Sequence, residues 1–575
     1  MTIEITPSQP RQDVLVHLAD GRTFHGPVGA RLEGFIKAAY PAVEPPIVAA
    51  MVDDDIRELT YPIEHDAHVT PLDITNGDGI RIYQRSLSFV LVVAAHELFP
   101  EAQIVIDHSL TLNGLYCEVQ GRAPFTAQEV RQLEQRMREI IAEDAPIAKA
   151  LVPLKQATEV FQSQGYGEQL RLLTYRTKDY LVLYELHGLR DYFYGYMVPS
   201  TGYLRRFALR HYPPGLILRF PRRSEPTQLP PFHDSPKLAS VFREYRDSLE
   251  LMDVRYVSAL NQVIADGHVR EAILINEALH EQKISDMAQA IASRRGQVRL
   301  VLIAGPSASG KTTSSKRLAI QLLAQGIRPI AVGMDDYFLD RELTPRDKQG
   351  HPLFEDLVAL DLELFNQQLL DLMAGREVKL ARYNFITGKR EWGDRVRISP
   401  EHVILVEGIH GMNPNLVPHV PREAVYRIYI SCLTQLNIDP HNRIPTTDTR
   451  LLRRMVRDAR TRGYSAQQTI RQWEHVRAGE ERNIFPYQEN ADVMFNSALA
   501  YELAVLKPLA EPLLREIEHG TVEYAEARRL LTFLQWISSS GAEMVPDNSL
   551  LREFVGGSIL EDFEPWHKGM VVEEG

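Results

Sequence analysis

Cysteine is nearly absent from this chain. The two present, Cys117 and Cys432, stand far apart and outside any metal-ligand spacing. Their scarcity excludes a disulfide framework and fits a reducing compartment. Long apolar runs are missing too. The longest notable one, Phe89 to Ala95, is far short of the roughly 20 residues that span a bilayer, so no membrane attachment is expected. The opening residues, MTIEITPSQPRQD, lack the charged and apolar regions of a signal peptide, and the expected location is the cytoplasm. An excess of basic charge is also lacking. The chain has 64 Lys and Arg against 76 Asp and Glu, and its net charge is −12. This argues against a general nucleic-acid coat while leaving room for a local basic groove. What is there is an ordinary globular composition, 44% hydrophobic and 24% charged, over 575 residues. One core cannot serve that length, and three or four domains are expected.

The most informative stretch is VRLVLIAGPSASGKTT, Val298 to Thr313. Leu300 to Ala304 reads as a short buried strand. It breaks into the pattern G-x-x-x-x-G-K-[ST], carried by Gly305, Gly310, Lys311 and Thr312, and helix-compatible sequence follows. Strand, glycine loop and helix in that order form a phosphate cradle. Backbone N–H groups turn onto phosphate oxygens, and the helix N-terminus adds its positive end. The expected ATP contacts are Gly305, Pro306, Ser307, Ala308, Ser309, Gly310, Lys311, Thr312 and Thr313. Lys311 is expected on the β/γ-phosphates, and the Thr312 hydroxyl on Mg²⁺.

Beyond the loop, Arg328 to Gly333 and His402 to Val406 read as further strands, ending at Asp335-Asp336 and at Glu407-Gly408. Strands alternating with helices imply a parallel sheet whose ligands sit beyond the strands' carboxyl ends. Carboxylates placed there, such as Asp335 and Glu407, can hold Mg²⁺ or take a proton from an attacking hydroxyl. Arg450, Arg453, Arg454 and Arg457 fall at i, i+3, i+4 and i+7 and share one helix face. Four like charges on one stripe repel unless a polyanion neutralises them, so phosphate binding is expected of this face.

The order GPSASGKTT, MDDYF, ARYNFITGKREW, VILVEGI, RLLRRMVRDARTRG and NADVMFNS resembles uridine kinases and the wider phosphoribulokinase group. The resemblance implies Asp335 as general base and Glu407 as the magnesium-associated acid. It implies Arg454 and Arg457, with Lys311, as the groups that meet the transferring phosphate. Glu355 stands where that family places an aspartate against ribose hydroxyls. Tyr383 matches a tyrosine packed on the base, Gln472 a glutamine near the acceptor, and Tyr337 is expected on the substrate side. Two positions depart from the pattern: Gly388 replaces a base-reading histidine, and Tyr464 an acceptor-side arginine. Pyrimidine readout is therefore expected to be weakened.

The front half reads differently. Val14 to Leu18, the Asp20-Gly21 turn and Thr23-Phe24 suggest a hairpin, Ala30 to Tyr40 a short helix, and Ile47 to Val52 and Gly79 to Tyr83 further strands. His65 and His68 are expected at the surface. This pattern resembles a TGS domain, a β-grasp module of threonyl-tRNA synthetases. LFPEAQIVIDHSLTLNGLYCEV, then a helix with Val130, Leu133, Met137, Ile140 and Ile141 on one face, then DYFYGYMVPSTG, are similar to the editing domain that follows TGS in that family. There, H-x-x-x-H and C-x-x-x-H pairs bring metal ligands together. Here the corresponding residues are Arg85, Phe89, Phe193 and Met197, none of them a plausible ligand. The expectation is a hydrolytically inactive domain. Its aromatics, Phe89, Tyr192, Phe193, Tyr194 and Tyr196, either fill the vacated space or form a platform for a base, so an RNA or nucleotide ligand is left open.

Seven prolines between Pro213 and Pro236 read as a linker. Ser235-Pro236 reads as the start of a helical connector running to Arg295, broken near Asp266-Gly267, with His268 and His280 as isolated histidines. Glu518 to Ile537 reads as helix, and the tail EDFEPWHKGMVVEEG as acidic, with nothing catalytic after residue 515.

The expected fold class is multidomain α/β. Its parts are a β-grasp domain (10–84), an α+β editing-like domain without metal ligands (85–225), a hinge and helical connector (226–296), a phosphate-loop kinase with a parallel sheet flanked by helices (297–515), and a C-terminal extension (516–575). The expected activity is ATP- and Mg²⁺-dependent phosphorylation of a small-molecule hydroxyl, a nucleoside 5′-OH first. A sugar or sugar-phosphate acceptor and a non-enzymatic ATP-gated switch are the alternatives, and a homo-oligomeric assembly is left open.

Overall fold

The computed structural model describes residues 11–110, 114–346, 350 and 352–564. The opening residues 1–10, and the acidic tail beyond residue 564, lie outside the described residues.

The first module is a five-stranded sheet ordered Thr23–Pro27, Asp13–Leu18, Ala67–Asp73, Ile47–Val52, Asp55–Glu58. The central strand Ala67–Asp73 runs parallel to its neighbour Asp13–Leu18, and the helix Leu32–Ala39 packs against this sheet through Leu32, Phe35 and Ile36. The β-grasp expectation is thus met in its strands. Its far boundary is not. Gly79 to Tyr83, expected as a strand, lies inside the helix Gly77–Leu98. The Asn76 side chain accepts from the N–H groups of Asp78 and Gly79 and starts that helix. A helix of 22 residues then crosses position 84 and forms the spine of the next module.

That second module has a four-stranded sheet, Ala208–Tyr212, Gly215–Arg219, Gly114–Gln120, Gln103–Leu110, and a three-stranded one, Ala148–Pro153, Tyr180–Leu186, Leu189–Tyr192. The helix Ala127–Ala142 buries Val130, Leu133, Met137, Ile140 and Ile141, the face its period predicts, behind a Thr126–Glu129 capping box. The proline-rich stretch is not wholly irregular. Gly215–Arg219 is a strand paired with Gly114–Gln120, because the intervening residues 215–220 carry no proline and read as an apolar run.

Three helices connect the halves: Pro236–Leu251, Val257–Ala265 and Val269–Ala292. Ser235 makes no side-chain cap. The carboxylate of Glu489 replaces it, accepting from the N–H groups of Lys237 and Leu238. The kinase half is a five-stranded parallel sheet ordered Arg328–Gly333, His402–Glu407, Leu300–Ala304, Val425–Ser431, Val493–Asn496, with the antiparallel hairpin Val378–Asn384/Lys389–Val396 beside it. Leu300–Ala304 is central and fully buried, as an apolar run in a parallel sheet should be. One continuous apolar core runs from Val48 through the connector to Phe554, so the modules are fused rather than strung on a linker. Among the described residues, no helix is long and apolar enough to cross a membrane.

Candidate functional site

The phosphate loop leaves the carboxyl end of the central strand, where the chain's order across the sheet reverses. Gly305 is required there by space, since a Cβ would meet the Ile430 carbonyl oxygen at 1.8 Å. Ala308 (φ 56°) and Gly310 (φ 82°) take left-handed conformations, which turn successive N–H groups toward one concavity. The helix Lys311–Ala324 then begins with its N-terminus aimed at the same place.

Four groups converge on this concavity. The Lys311 ammonium donates to the Gly305 and Pro306 carbonyls at 2.9 and 3.1 Å, and burial pulls its pKa down. Thr312 Oγ1 donates to Glu407 Oε1 at 2.8 Å. Glu407 ends its strand in register with Gly333 on one side and Ile303 on the other, and burial pushes its carboxyl up against the opposing pull of Lys311. Asp335 stands in the turn Met334–Tyr337 after the neighbouring strand. Its side chain is open to the cleft, yet the protein crowding it raises its carboxyl above the ordinary carboxylate range, opposed by Lys311. A hydroxyl and a carboxylate in contact at the mouth of a phosphate cradle form a hard-oxygen donor pair that fits Mg²⁺.

On the acceptor side, Glu355 backs onto Gly479 of the helix Ala466–Asn483, within electrostatic reach of Glu480, Arg454 and Asp335; burial raises its carboxyl. Tyr383 joins Phe338 and Phe385 in an aromatic cluster with ring centroids 5.1–6.4 Å apart. Its hydroxyl is buried without a hydrogen-bond partner among the described residues, while Phe385 is exposed. Phe338 and Phe385 were missed as site residues, although Phe338 follows Tyr337 in MDDYF and Phe385 lies two residues after Tyr383 in RYNF. Gln472 accepts from Arg454 at 3.3 Å.

Several expectations need correction. Tyr337 does not face the acceptor. It is buried, packs edge-on against Phe365 and donates to Gln368 at 2.7 Å. Asp335 is exposed beside the phosphate loop, Asp336 accepts from the Tyr383 N–H at 3.2 Å, and the tight turn sends Tyr337 to the core. The arginine stripe also divides. Arg450 and Arg453 are fully buried and paired with Glu480 and Glu502. Their charges are already met, and their free donors hold the Ser307 carbonyl at 2.8 Å and the Ala308 carbonyl at 3.4 Å. They brace the loop rather than await a phosphate. Arg454 reaches Ser307 Oγ at 2.9 Å and pairs with Asp458 at 3.2 Å, and Arg457 is held on the same Asp458 at 2.7 Å. Gly388 has φ 69°, and a Cβ there would collide with the Arg341 guanidinium, which donates to the Phe385 carbonyl. Arg390 is committed to Asp361, and the Arg341 guanidinium lies against the Gly388 position. Tyr464 is partly exposed, with its N–H donated to the Asp458 carbonyl.

The C-terminal extension is not remote from the site. Glu553 accepts from the Thr313 N–H at 3.1 Å, Leu550 lies over Gly310, and Lys316 donates to the Leu560 and Glu561 carbonyls. A second carboxylate, Glu480, accepts from the Ser307 N–H at 3.0 Å. No spacing rule connects residue 553 to residue 313, so sequence reasoning could not find this contact.

In the front half, the four positions Arg85, Phe89, Phe193 and Met197 converge. The rings of Phe89 and Phe193 lie 5.2 Å apart, Arg85 donates to the Tyr196 carbonyl at 2.8 Å, and Met197 Sδ contacts Ser86 Oγ. Phe89, Tyr192, Phe193 and Tyr194 are all buried, so most of the aromatics serve as packing.

The parallel sheet, central phosphate loop and flanking helices define a phosphate-loop kinase domain. Residues 300–503 match the model of the phosphoribulokinase / uridine kinase family, and that segment is a domain of it. The N-terminal half is similar to threonine–tRNA ligases. One from Acidovorax sp. (strain JS42) is 31% identical over 205 residues, covering 34% of this chain and 30% of that protein. One from Paraburkholderia phymatum is 28% identical over 199 residues, covering 34% and 31%. The chain thus spans about a third of the length of these relatives. Among solved structures, a possible uridine kinase from Bacillus stearothermophilus is 23% identical over 37% of this chain and 98% of its own, with a TM-score of 0.27. D-glycerate 3-kinase from Cryptococcus neoformans is 14% identical over 44% and 87%, with a TM-score of 0.20.

Proposed function

We propose that this chain is an ATP- and Mg²⁺-dependent kinase acting on a small-molecule hydroxyl, with the 5′-hydroxyl of a nucleoside as acceptor. The observation that carries the reading is the grouping of Asp335, Lys311 and the Thr312–Glu407 pair around one concavity. A nucleotide-gated switch has no need of a carboxylate poised for a hydroxyl proton.

In this reading the loop N–H groups and Lys311 hold the phosphates of ATP. Asp335 accepts the proton of the acceptor hydroxyl as its oxygen bonds to the terminal phosphorus and the bond to the ADP oxygen breaks. Lys311 and Arg454 stabilise charge on the transferring group, with Arg457 beside them. Thr312 and Glu407 would hold Mg²⁺, which would supply neutralising charge to the phosphates. Glu355 accepts from sugar hydroxyls, and the Tyr383–Phe338–Phe385 cluster offers faces to a base. Stacking tolerates every base, whereas hydrogen bonds to a base edge discriminate strongly. Gly388 supplies no side-chain donor, so weak selection among bases is expected, with Arg341 as the donor that could restore it.

The test is ADP release with ATP and Mg²⁺ across uridine, cytidine, adenosine, guanosine, inosine and a set of sugar phosphates, with Lys311→Ala as control. Turnover of nucleosides at comparable kcat/KM is the expected result. Turnover of sugar phosphates alone would replace the nucleoside reading. A preference above a hundredfold for uridine and cytidine would overturn the reading of Gly388.

A further inference from the structure

Between the strand Val425–Ser431 and the helix Thr446–Thr461 the kinase half sends a loop, residues 432–445, into the front half. It is bound there closely. The Pro440 carbonyl accepts from the Ile106 N–H at 2.8 Å, and Asn437 donates to the Asp107 carbonyl at 2.9 Å. His441 pairs with the buried Asp191 at 2.5 Å, Asn442 donates to the Tyr192 carbonyl at 2.9 Å, and Tyr194 donates to the Arg443 carbonyl at 2.6 Å. The loop closes over the Arg85 and Tyr194 end of the converged positions and leaves a cavity of about 60 Å³.

Arginine supplies the charged part of that cavity's lining, beside Ile106, Leu115, Tyr194 and Pro445. Four guanidiniums reach it: Arg81, Arg85, Arg443 and Arg529. Arg81 is paired with Asp78 and Glu526, and Arg529 with Asp448 and Glu526. Arg85 and Arg443 have no carboxylate within ion-pair distance among the described residues. Arg85 donates only to the Tyr196 carbonyl, and the Arg443 side chain makes no hydrogen bond among the described residues. Burial pulls both below the ordinary guanidinium range. Four cations thus face three carboxylates. Arg85 and Arg443 are each partly buried, and even partial removal of an unpaired guanidinium from water is unfavourable unless an anion meets it; two planar forks suit a tetrahedral oxyanion.

We infer that Arg85 and Arg443 clamp a phosphate group, one arginine from each half of the chain, in a binding site at the Arg85 end of the four converged positions. The ligand is either inorganic phosphate or the phosphate of a nucleoside monophosphate whose remainder extends through the cavity's open side. Arg443 is followed by Pro445 and the helix Thr446–Thr461, whose Arg450 and Arg454 touch the phosphate loop. An anion held there sits at the root of the helix that braces the kinase loop.

The phosphate loop binds phosphate itself, so the test starts from the full chain carrying Lys311→Ala. Calorimetric titrations with inorganic phosphate and with adenosine 5′-monophosphate are run on that protein and on its Arg85→Gln and Arg443→Gln derivatives. At least one ligand is expected to bind the Lys311→Ala chain, and each glutamine replacement should weaken that binding at least tenfold. Binding of both ligands assigns the site to the free ion, and binding of the monophosphate alone assigns it to a nucleotide. Should Arg85→Gln fail to fold, Arg443→Gln decides alone, because its side chain makes no hydrogen bond whose loss would unfold the chain. Unchanged affinity in Arg443→Gln, or no binding of either ligand to the Lys311→Ala chain, would overturn the inference.

Discussion

Asp335 and Lys311 sit in one cleft but touch different partners. Lys311 meets the phosphates, so Lys311→Ala should abolish turnover and weaken ATP binding. Asp335 acts on the acceptor, so Asp335→Asn should abolish turnover while ATP affinity survives; unimpaired turnover in that variant would remove it as the base. Crowding raises the Asp335 carboxyl, so the acidic limb of log kcat/KM should lie above the ordinary carboxylate range. A second residue sets a pH dependence of stability. His280 is buried under the strand Val493–Asn496 and donates to the Ala498 carbonyl, and burial pulls its pKa from 6.5 to about 3. Between those values the unfolded chain binds more protons than the folded one. Stability is therefore complete above about pH 6.5 and falls as the pH drops toward 3. His280→Gln should flatten this slope in urea midpoints measured from pH 7 to 4; an unchanged slope would assign the loss to other groups, His410 first.

At the scale of elements, the short helix Arg552–Val555 alters how the phosphate loop must be read. Its Glu553 carboxylate occupies the N–H of Thr313, at the helix end that favours anions. A bound nucleotide phosphate competes for that end. Glu553→Gln should tighten ATP binding by about 2- to 5-fold, the worth of one charge at a helix N-terminus. Weaker binding in that variant would instead make Glu553 a support of the loop. The neighbouring helix Thr446–Thr461 shows where periodicity stops informing. Its arginines do share one face, yet Arg450 and Arg453 are consumed by Glu480 and Glu502, which lie 30 and 49 residues further along.

At the scale of the molecule, the continuous core and the inserted loop make the kinase half dependent on its neighbour. Leu436, Ile438 and Ile444 are buried against the front half, and Asp439 and Asn442 are buried with them. A fragment of residues 297–515 would expose all of these, and it also loses the extension that packs Leu550, Leu551 and Phe554 into the core. It should melt well below the full chain or aggregate, as followed by circular dichroism; a melting temperature equal to the full chain's would show the halves to be independent.

Local order carried much of this protein. The phosphate loop, its strand and its helix were legible because glycine, lysine and threonine at fixed offsets have few other uses. The strand-end placement of Asp335 and Glu407 was legible because a parallel sheet ends its strands on one side, and the helix Ala127–Ala142 because apolar residues at 3.6-residue spacing must share a face. Contacts between distant residues were not. The inward turn of Tyr337, the bracing role of Arg450 and Arg453, Glu553 on the loop helix and Arg443 beside Arg85 all depend on which surfaces the core brings together. Only the tertiary structure decided them, because a side chain's partner is set by packing between elements and not by its position along the chain.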